Sequence, residues 1–259
     1  MNYGIVQIPC IAVRKEPAEQ NEMTSQLLFG ELFEVLETQP GWLRVKNEYD
    51  GYEGWISRTG IGLLDEESLQ KYRNYSSCIQ PDSYLSLQRA SGEEPMLIPA
   101  GAVIYYDENI PLKVHCGDTY RVEKPCNNIE TEISERILKT GRQFLNIPYL
   151  WGGKSTYGTD CSGLVQTVFK ILGVALARDT SEQVKQGEPL NMLPEAHTGD
   201  LMFFDNEEGE IVHVGILMEP GLVLHASGLV RIDPIDHQGI YSRELKRYTH
   251  KLRVIKRIF

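Results

Sequence analysis

Three residues of types that perform nucleophilic catalysis are spread along the second half of the chain: Cys161, His213 and His225. Cys161 ends a glycine-rich loop and opens a stretch of helical apolar periodicity, which predicts that it lies in the first turn of a helix capped by Thr159 or Asp160. The positive end of a helix dipole favours a thiolate, the nucleophile of cysteine catalysis. For a cysteine taken alone, a buried and inert side chain is the commoner interpretation.

The two histidines favour the catalytic interpretation. His213 and His225 each lie in a short apolar run, and the turn at residues 219–221 predicts that these runs are neighbouring antiparallel strands. One histidine would then take the thiol proton while the other fixes its tautomer and orientation. Each histidine could instead be an ordinary core residue. A Cys–His–His zinc site is disfavoured because no fourth ligand or His-x-x-x-His spacing accompanies it, and neither metal nor cofactor is predicted.

The sequence predicts an α+β domain over residues 129–259, whose helices and strands would position these three residues. Apolar residues recur at helical spacing before residue 146 and again over residues 161–172. Four strands are predicted after these helices, at residues 200–204, 211–218, 222–226 and 252–258. Helices followed by an antiparallel sheet are typical of the α+β class.

The first half of the chain predicts small all-β domains. In residues 1–64 the pattern predicts strands at 5–13, 32–38, 42–46 and 54–56, which indicates a small closed barrel. Helical periodicity first appears at residues 65–72. A second, degenerate barrel is predicted for residues 65–128, with strands at 83–88, 102–106, 113–115 and 120–122.

Local motifs in residues 1–64 resemble a bacterial SH3-like domain. These motifs follow one another in order: Val13-Arg14, Leu28-Phe29-Gly30-Glu31, Gly41-Trp42-Leu43-Arg44-Val45 and Asp50-Gly51-Tyr52-Glu53-Gly54-Trp55-Ile56. The second barrel lacks the Gly-Trp signature.

Five ordered motifs in residues 130–259 resemble the NlpC-type cysteine peptidases: Pro148-Tyr149-Leu150-Trp151-Gly152-Gly153, Thr159-Asp160-Cys161-Ser162-Gly163-Leu164, Gly199-Asp200-Leu201, His213-Val214-Gly215-Ile216 and His225-Ala226-Ser227. The resemblance implies a papain-like α+β fold, with Cys161 as nucleophile, His213 as general base and His225 as the orienting residue. Such enzymes cleave bacterial cell-wall peptides.

The combination of an SH3-like domain with a following peptidase domain is similar to that of a group of dipeptidyl-peptidases. These enzymes hydrolyse γ-D-glutamyl–diamino acid bonds of murein peptides with a free N-terminal L-alanine. The resemblance implies a set of substrate-binding residues: Glu31, Tyr52, Trp151, Asp160, Ser162, Thr180 and Ser181. The first two would hold the amino end together with Asp160 and Ser162, and a hydroxyl of Thr180 or Ser181 would complete the pocket. Three of these residues have a structural alternative to substrate binding: Glu31 would be a solvated charge, Tyr52 a barrel-core residue and Asp160 a helix cap.

Composition excludes several other classes. The net charge is −10, and residues 1–129 hold 11 Lys and Arg against 19 Asp and Glu, which disfavours a nucleic-acid partner. No apolar stretch reaches the roughly 20 residues of a membrane span, and the opening residues lack the pattern of a secretory signal, so a cytoplasmic location is expected. Five cysteines without a Cys-x-x-Cys pair predict neither a disulfide framework nor a zinc ribbon.

Three functions remain as candidates. The leading one is a cytoplasmic cysteine peptidase that recycles murein tri- or tetrapeptides by releasing L-Ala-D-Glu. The alternatives are a wall-lytic endopeptidase acting on intact peptidoglycan and a wall-binding protein without activity. Retention of Cys161, His213 and His225 together disfavours the last.

Overall fold

A computed structural model describes residues 2–89, 94–107, 110–116, 118–121 and 131–259. The chain forms two compact units. The first contains Met1–Ile129 together with Trp151–Thr156, and the second contains Glu130–Leu150 and Tyr157–Phe259. The predicted domain boundary at residues 128 and 129 lies outside the described residues.

The first unit begins with a seven-stranded antiparallel sheet in the order β3-β2-β6-β5-β4-β1-β7. Its strands are β1 (Tyr3–Val6), β2 (Cys10–Arg14), β3 (Met23–Leu28), β4 (Leu32–Gln39), β5 (Trp42–Asn47), β6 (Glu53–Ser57) and β7 (Ile61–Leu64). The prediction of one strand over residues 5–13 is wrong. The chain turns at Ile8 and Pro9, so that β1 pairs with β4 and β7 whereas β2 pairs with β3 and β6. Proline, which has no N–H to donate, is compatible with this break.

Helix α1 (Glu66–Asn74) joins this sheet to a second one, and Asp65 caps the helix by accepting from the Ser68 backbone N–H. The second sheet has six strands in the order β10-β9-β13-β12-β11-β8. They are β8 (Ser76–Ile79), β9 (Tyr84–Arg89), β10 (Met96–Pro99), β11 (Val103–Asp107), β12 (Ile110–Cys116) and β13 (Asp118–Arg121). Residue 122 of the predicted strand 120–122 lies outside the described residues.

The two sheets of the first unit share one apolar core. Ile5 and Phe29 from the first sheet belong to the same buried cluster as Leu69 of α1 and Tyr120 of β13. Cys78 of β8 is disulfide-bonded, although the cysteine pattern predicted no disulfide framework. Sequence spacing does not show which strands fold side by side, and therefore could not predict this bond.

The segment Trp151–Thr156, with the short strand β14 (Lys154–Ser155), packs within the first unit although it is distant from it in sequence. Gly152 has a positive φ of 76°, and a Cβ there would lie 2.3 Å from the Met23 carbonyl oxygen. The Lys154 backbone N–H donates to Gln26 Oε1 at 2.9 Å. Glycine is therefore required for both the turn and the close approach.

The second unit places helices and an antiparallel sheet together, which confirms the predicted α+β class. Its first elements are α2 (Ile133–Arg142), β15 (Gly158–Thr159), α3 (Cys161–Ile171) and α4 (Thr180–Gln183). The strands that follow are β16 (Glu188–Leu190), β17 (Leu201–Asp205), β18 (Ile211–Glu219), β19 (Leu222–Ser227), β20 (Leu229–Pro234), β21 (Gly239–Ser242) and β22 (Arg247–Arg257), with a 3₁₀ turn at Leu193–Glu195. The sheet order is β16-β22-β17-β18-β19-β20, and β21 pairs with β22.

Helix α3 is the buried element that carries Cys161. Residues 161–170 are all buried, and Leu164, Val165, Val168 and Phe169 have no exposed surface. A helix that is buried on nearly all sides is held by packing rather than by propensity. Within the described ranges, no helix has both the length and the apolar character needed to cross a membrane.

Candidate active site

Cys161 is the first residue of α3, as its sequence context predicts. Asp160 caps the helix, and its Oδ1 accepts from the Gly163 backbone N–H at 2.7 Å. The cap fixes the direction in which the helix begins and therefore the position of the thiol.

The surroundings of the thiol stabilise its neutral form. Burial and the neighbouring Asp160 charge raise the pKa of Cys161, although the Val214 backbone N–H and the Thr180 hydroxyl partly oppose this by hydrogen bonding. Thr180 Oγ1 lies 3.9 Å from Sγ. Burial therefore acts against the thiolate that the start of α3 favours, and the expected activation of the thiol stays a prediction.

A buried arginine that the sequence analysis missed holds Asp160. The Arg178 guanidinium donates from Nη1 and Nη2 to the two carboxylate oxygens of Asp160, at 3.1 and 2.6 Å, and from Nη1 to Ser162 Oγ at 2.9 Å. The Ser162 hydroxyl also donates to Asp160 Oδ1, at 3.2 Å. These contacts make Asp160 a helix cap and one half of a bidentate ion pair. In the sequence, the one feature that could have pointed to Arg178 is its position directly before Asp179, Thr180 and Ser181.

His213 and His225 lie on neighbouring strands, as predicted. His213 is on β18 and His225 on β19, and His213 Nε2 lies 3.0 Å from His225 Nδ1. Register pairs Gly215 with His225. A Cβ on Gly215 would lie 2.6 Å from Val223 and 3.2 Å from the His225 Cβ, so only glycine lets the strands approach at this point.

Asp233 of β20 extends the pair to a chain of three side chains. Its Oδ2 lies 3.2 Å from His225 Nε2, and Arg231 Nε approaches the same oxygen at 2.7 Å. A carboxylate accepts only, so His225 carries its proton on Nε2 and accepts at Nδ1. His213 therefore donates from Nε2 and keeps the lone pair on Nδ1, which is the tautomer of a general base. Sequence reasoning missed Asp233 because β20 was not predicted.

A third imidazole lies against the base. The His250 ring of β22 stacks on His213 with centroids 4.2 Å apart and planes 26° apart, and Thr249 Oγ1 lies 2.9 Å from its Nδ1. Burial lowers the pKa of His213 well below its usual value, with the neighbouring histidines contributing, and lowers the pKa of His250 to about 4. His213 is therefore neutral at pH 7 and able to accept a proton.

Cys161 lies against the strand that carries His213, since the N–H of Val214 donates to its sulphur. The hydrogen bonds found among the described residues do not include one from Sγ to the His213 ring. Catalytic hydrogen bonds are often longer in an enzyme without substrate and tighten when substrate binds.

The three imidazoles are also the group best suited to a metal ion within the described part of the chain. Nitrogen atoms of His213, His225 and His250 lie within 4.8 Å of one another. A ligated ion lies near the plane of each ring, however, and the stacked rings of His213 and His250 do not point to a common centre. The arrangement fits a proton relay better than a tetrahedral metal site.

Three predicted substrate-binding residues lie in the first unit. Glu31 is 2% exposed; its Oε2 accepts from the Leu28 N–H at 2.9 Å and its Oε1 lies 3.2 Å from Lys154 Nζ. Tyr52 packs against the core of the first sheet. Trp151 is 61% exposed and donates from Nε1 to Glu22 at 2.9 Å. Glu31 is therefore a buried ion-pair partner rather than a solvated charge.

Of the two predicted pocket hydroxyls, Thr180 is the one beside the nucleophile. Thr180 begins α4 and contacts the thiol, whereas the Ser181 side chain is exposed. The substrate-binding roles stay predictions for all seven residues: Glu31, Tyr52, Trp151, Asp160, Ser162, Thr180 and Ser181.

The chain is similar to known proteins along most of its length. The NlpC/P60 family model matches residues 146–249, and a model of the bacterial dipeptidyl-peptidase SH3 domain matches residues 13–61. A gamma-D-glutamyl-L-lysine dipeptidyl-peptidase of Bacillus subtilis is 31% identical over 222 residues, 80% of this chain and 73% of the relative. Dipeptidyl-peptidase 6 of Lysinibacillus sphaericus is 25% identical over 262 residues, 89% of this chain and 91% of the relative.

A solved structure shares the fold. The crystal structure of an NlpC/P60 family protein from Bacillus cereus superimposes with a TM-score of 0.83, covering 99% of each chain at 18% identity.

Proposed function

Because this chain belongs to the NlpC/P60 family and is a cysteine-type peptidase, we propose that it hydrolyses the γ-D-glutamyl–diamino acid bond of cell-wall peptides that begin with a free L-alanine. The observation that carries the proposal is the His213–His225–Asp233 chain beside Cys161. The substrate class is supported by the names of the two relatives, which match four fifths or more of this chain.

The first half of the reaction forms an acyl-enzyme. His213 Nδ1 takes the thiol proton as Cys161 Sγ attacks the γ-carbonyl carbon of D-glutamate, and the carbonyl electron pair moves to its oxygen. The positive end of α3 stabilises this oxyanion. The C–N bond then breaks, the His213 proton passes to the amine of the diamino acid, and a thioester remains on Cys161.

The second half restores the enzyme. Water attacks the thioester carbon while His213 takes a proton from it, and the C–S bond breaks to release the L-Ala-D-Glu acid. The proton on His213 returns to Sγ, so no net charge is left on the protein. Whenever His213 carries the extra proton, His225 Nδ1 accepts a hydrogen bond from the resulting imidazolium. Asp233, which is hydrogen-bonded to the far side of His225, compensates the positive charge.

The raised pKa of Cys161 and the lowered pKa of His213 define the resting state. Both shifts favour a neutral thiol and a neutral imidazole over an ion pair. Proton transfer therefore accompanies the attack of the sulphur on the substrate carbonyl.

The dipeptidyl-peptidase activity is tested with three substrates: L-Ala-γ-D-Glu-L-Lys, its N-acetylated form and intact sacculi, with products identified by mass spectrometry. We expect release of L-Ala-D-Glu from the free tripeptide and roughly a ten- to hundred-fold lower kcat/KM for the acetylated one, since a charge-assisted contact is lost. The control is Cys161→Ala, which should retain the fold and lose all activity.

Preferential cleavage of sacculi would instead support the wall-lytic endopeptidase, and equal cleavage of both tripeptides would contradict recognition of the amino end. Failure of Cys161→Ala to abolish hydrolysis would contradict the cysteine mechanism itself.

The recycling role and the cytoplasmic location are separate proposals. Against the location, a disulfide such as the one at Cys78 is typical of oxidising compartments. Cell fractionation with detection of the native protein tests the location, and recovery outside the cytoplasm would contradict it.

A further inference from the structure

A pocket of about 690 Å³ lies in the second unit, beside the strand that carries His250. Its walls come from the end of β17, the loop that follows it, residues 237–238 before β21 and the first half of β22. The volume is within the range of about 300–1,000 Å³ that is usual for small-molecule sites. The catalytic chain described above leaves this pocket unused.

The pocket begins next to the general base. His250 lines it and stacks on His213 with a centroid separation of 4.2 Å, so one ring separates the base from the pocket. In the strand register Phe204 of β17 lies opposite His213, and after a register shift Asp205 lies opposite Ile211, two residues before the base.

Asp205 lines the pocket, and its carboxylate has fewer partners than a buried charge needs. Its side chain is 4% exposed, its Oδ2 lies 3.7 Å from Arg253 Nε, and its Oδ1 has no hydrogen-bond partner among the described residues. A buried carboxylate with one unsatisfied oxygen is costly unless a ligand completes its partners. Glu207 and Lys251 also line the pocket and give it charges of both signs.

We propose that this pocket binds the diamino acid that follows the scissile bond, with its side-chain ammonium against Asp205. The proposal rests on the proposed function. His213 must deliver a proton to the leaving amine, so the leaving residue has to lie at His213. From there the four-carbon stem of a lysine extends past His250, and Lys251 offers a cation for the carboxylate of the same residue.

The test compares L-Ala-γ-D-Glu-L-Lys with the norleucine tripeptide, which keeps the carbon chain and lacks the ammonium. The wild-type enzyme should have a kcat/KM roughly 10–100 times higher for the lysine peptide, as expected for a charge-assisted contact. Asp205→Asn should lower the lysine value by that factor and leave the norleucine value unchanged. Glu208→Gln removes an exposed charge from the same loop without touching the pocket lining, and should keep the preference.

Equal wild-type cleavage of the two tripeptides would overturn the subsite while leaving the proposed function intact. An equal loss for both peptides in Asp205→Asn would also overturn it, because that pattern indicates a structural role. Absence of cleavage of either peptide by the wild-type enzyme would contradict the proposed function and the subsite with it.

Discussion

At the scale of single residues, the charge state of the site is set by burial. Cys161 and His213 are both buried, and burial raises the pKa of the thiol and lowers that of the imidazole. Because the two pKa values shift in opposite directions, the proton stays on the Cys161 thiol and does not pass to His213 in the resting enzyme. The hydrogen bond from His213 to His225 then decides which ring nitrogen is available for the thiol.

The thiol prediction concerns the pH dependence of alkylation at Cys161. Since the pKa is raised, the midpoint of the iodoacetamide rate should lie above the ordinary cysteine value of about 8.5. Peptide mass spectrometry over pH 6–10 measures the rate at this residue alone. A midpoint below pH 7 would show that the resting enzyme holds a thiolate–imidazolium pair instead.

Asp233 is a positioning residue, because it acts on the base through His225. Asp233→Asn keeps an acceptor but removes the charge, and kcat should fall about 10–10³-fold with KM nearly unchanged, less than the roughly 10⁴-fold loss for a carboxylate that contacts the base. Steady-state kinetics measure both constants. Glu244→Gln is the control, since Glu244 is an exposed partner of Arg231. A change in KM alone would indicate a contact with substrate.

At the scale of elements, the site depends on the close approach of β18 and β19. Gly215→Ala places a Cβ 2.6 Å from Val223 and 2.8 Å from the Leu224 carbonyl oxygen, so the strands must separate. We expect a loss of about 1–3 kcal/mol in the free energy of unfolding, as for other overpacked cores. We also expect a lower kcat, because His225 moves with its strand.

Urea unfolding and kinetics on the same sample test this, with Val212→Ala as the control because Val212 is 51% exposed on the same strand. Unchanged stability and kcat in Gly215→Ala would show that the sheet relaxes freely.

At the scale of the whole molecule, the histidine cluster makes stability depend on pH. The folded-state pKa values of His213 and His250 lie below the unfolded value of about 6.5, and for His250 the value is about 4. The unfolded chain therefore binds more protons in this range. The contribution to stability is fully present above pH 6.5 and is lost as the pH falls towards 4.

Thermal unfolding between pH 4 and 8 should accordingly show Tm falling below pH 6.5. His250→Phe, which keeps a ring against His213 and cannot titrate, should make the fall shallower. A Tm that is constant down to pH 4 would contradict the buried, neutral state of the cluster.

Much of the architecture followed from local patterns. The periodicity over residues 161–172 predicted α3, and the turn at 219–221 predicted the β18–β19 pair that brings His213 and His225 together. These are short-range features, in which neighbours in sequence are neighbours in space. Strands such as β3 and β20 were missed because their sequences alternate weakly and they are stabilised by pairing.

What the sequence alone determined was the nucleophile at the start of a helix, the histidine pair and the domain types, because each depends on residues close together in the chain. The tertiary structure decided the rest. Four contacts join segments that are separated in sequence: the hydrogen bonds Arg178–Asp160, Asp233–His225 and Lys154–Glu31, and the stacking of His250 with His213. The burial that raises the pKa of the Cys161 thiol is likewise a tertiary effect, because desolvation depends on everything packed around an atom, and no local pattern records that.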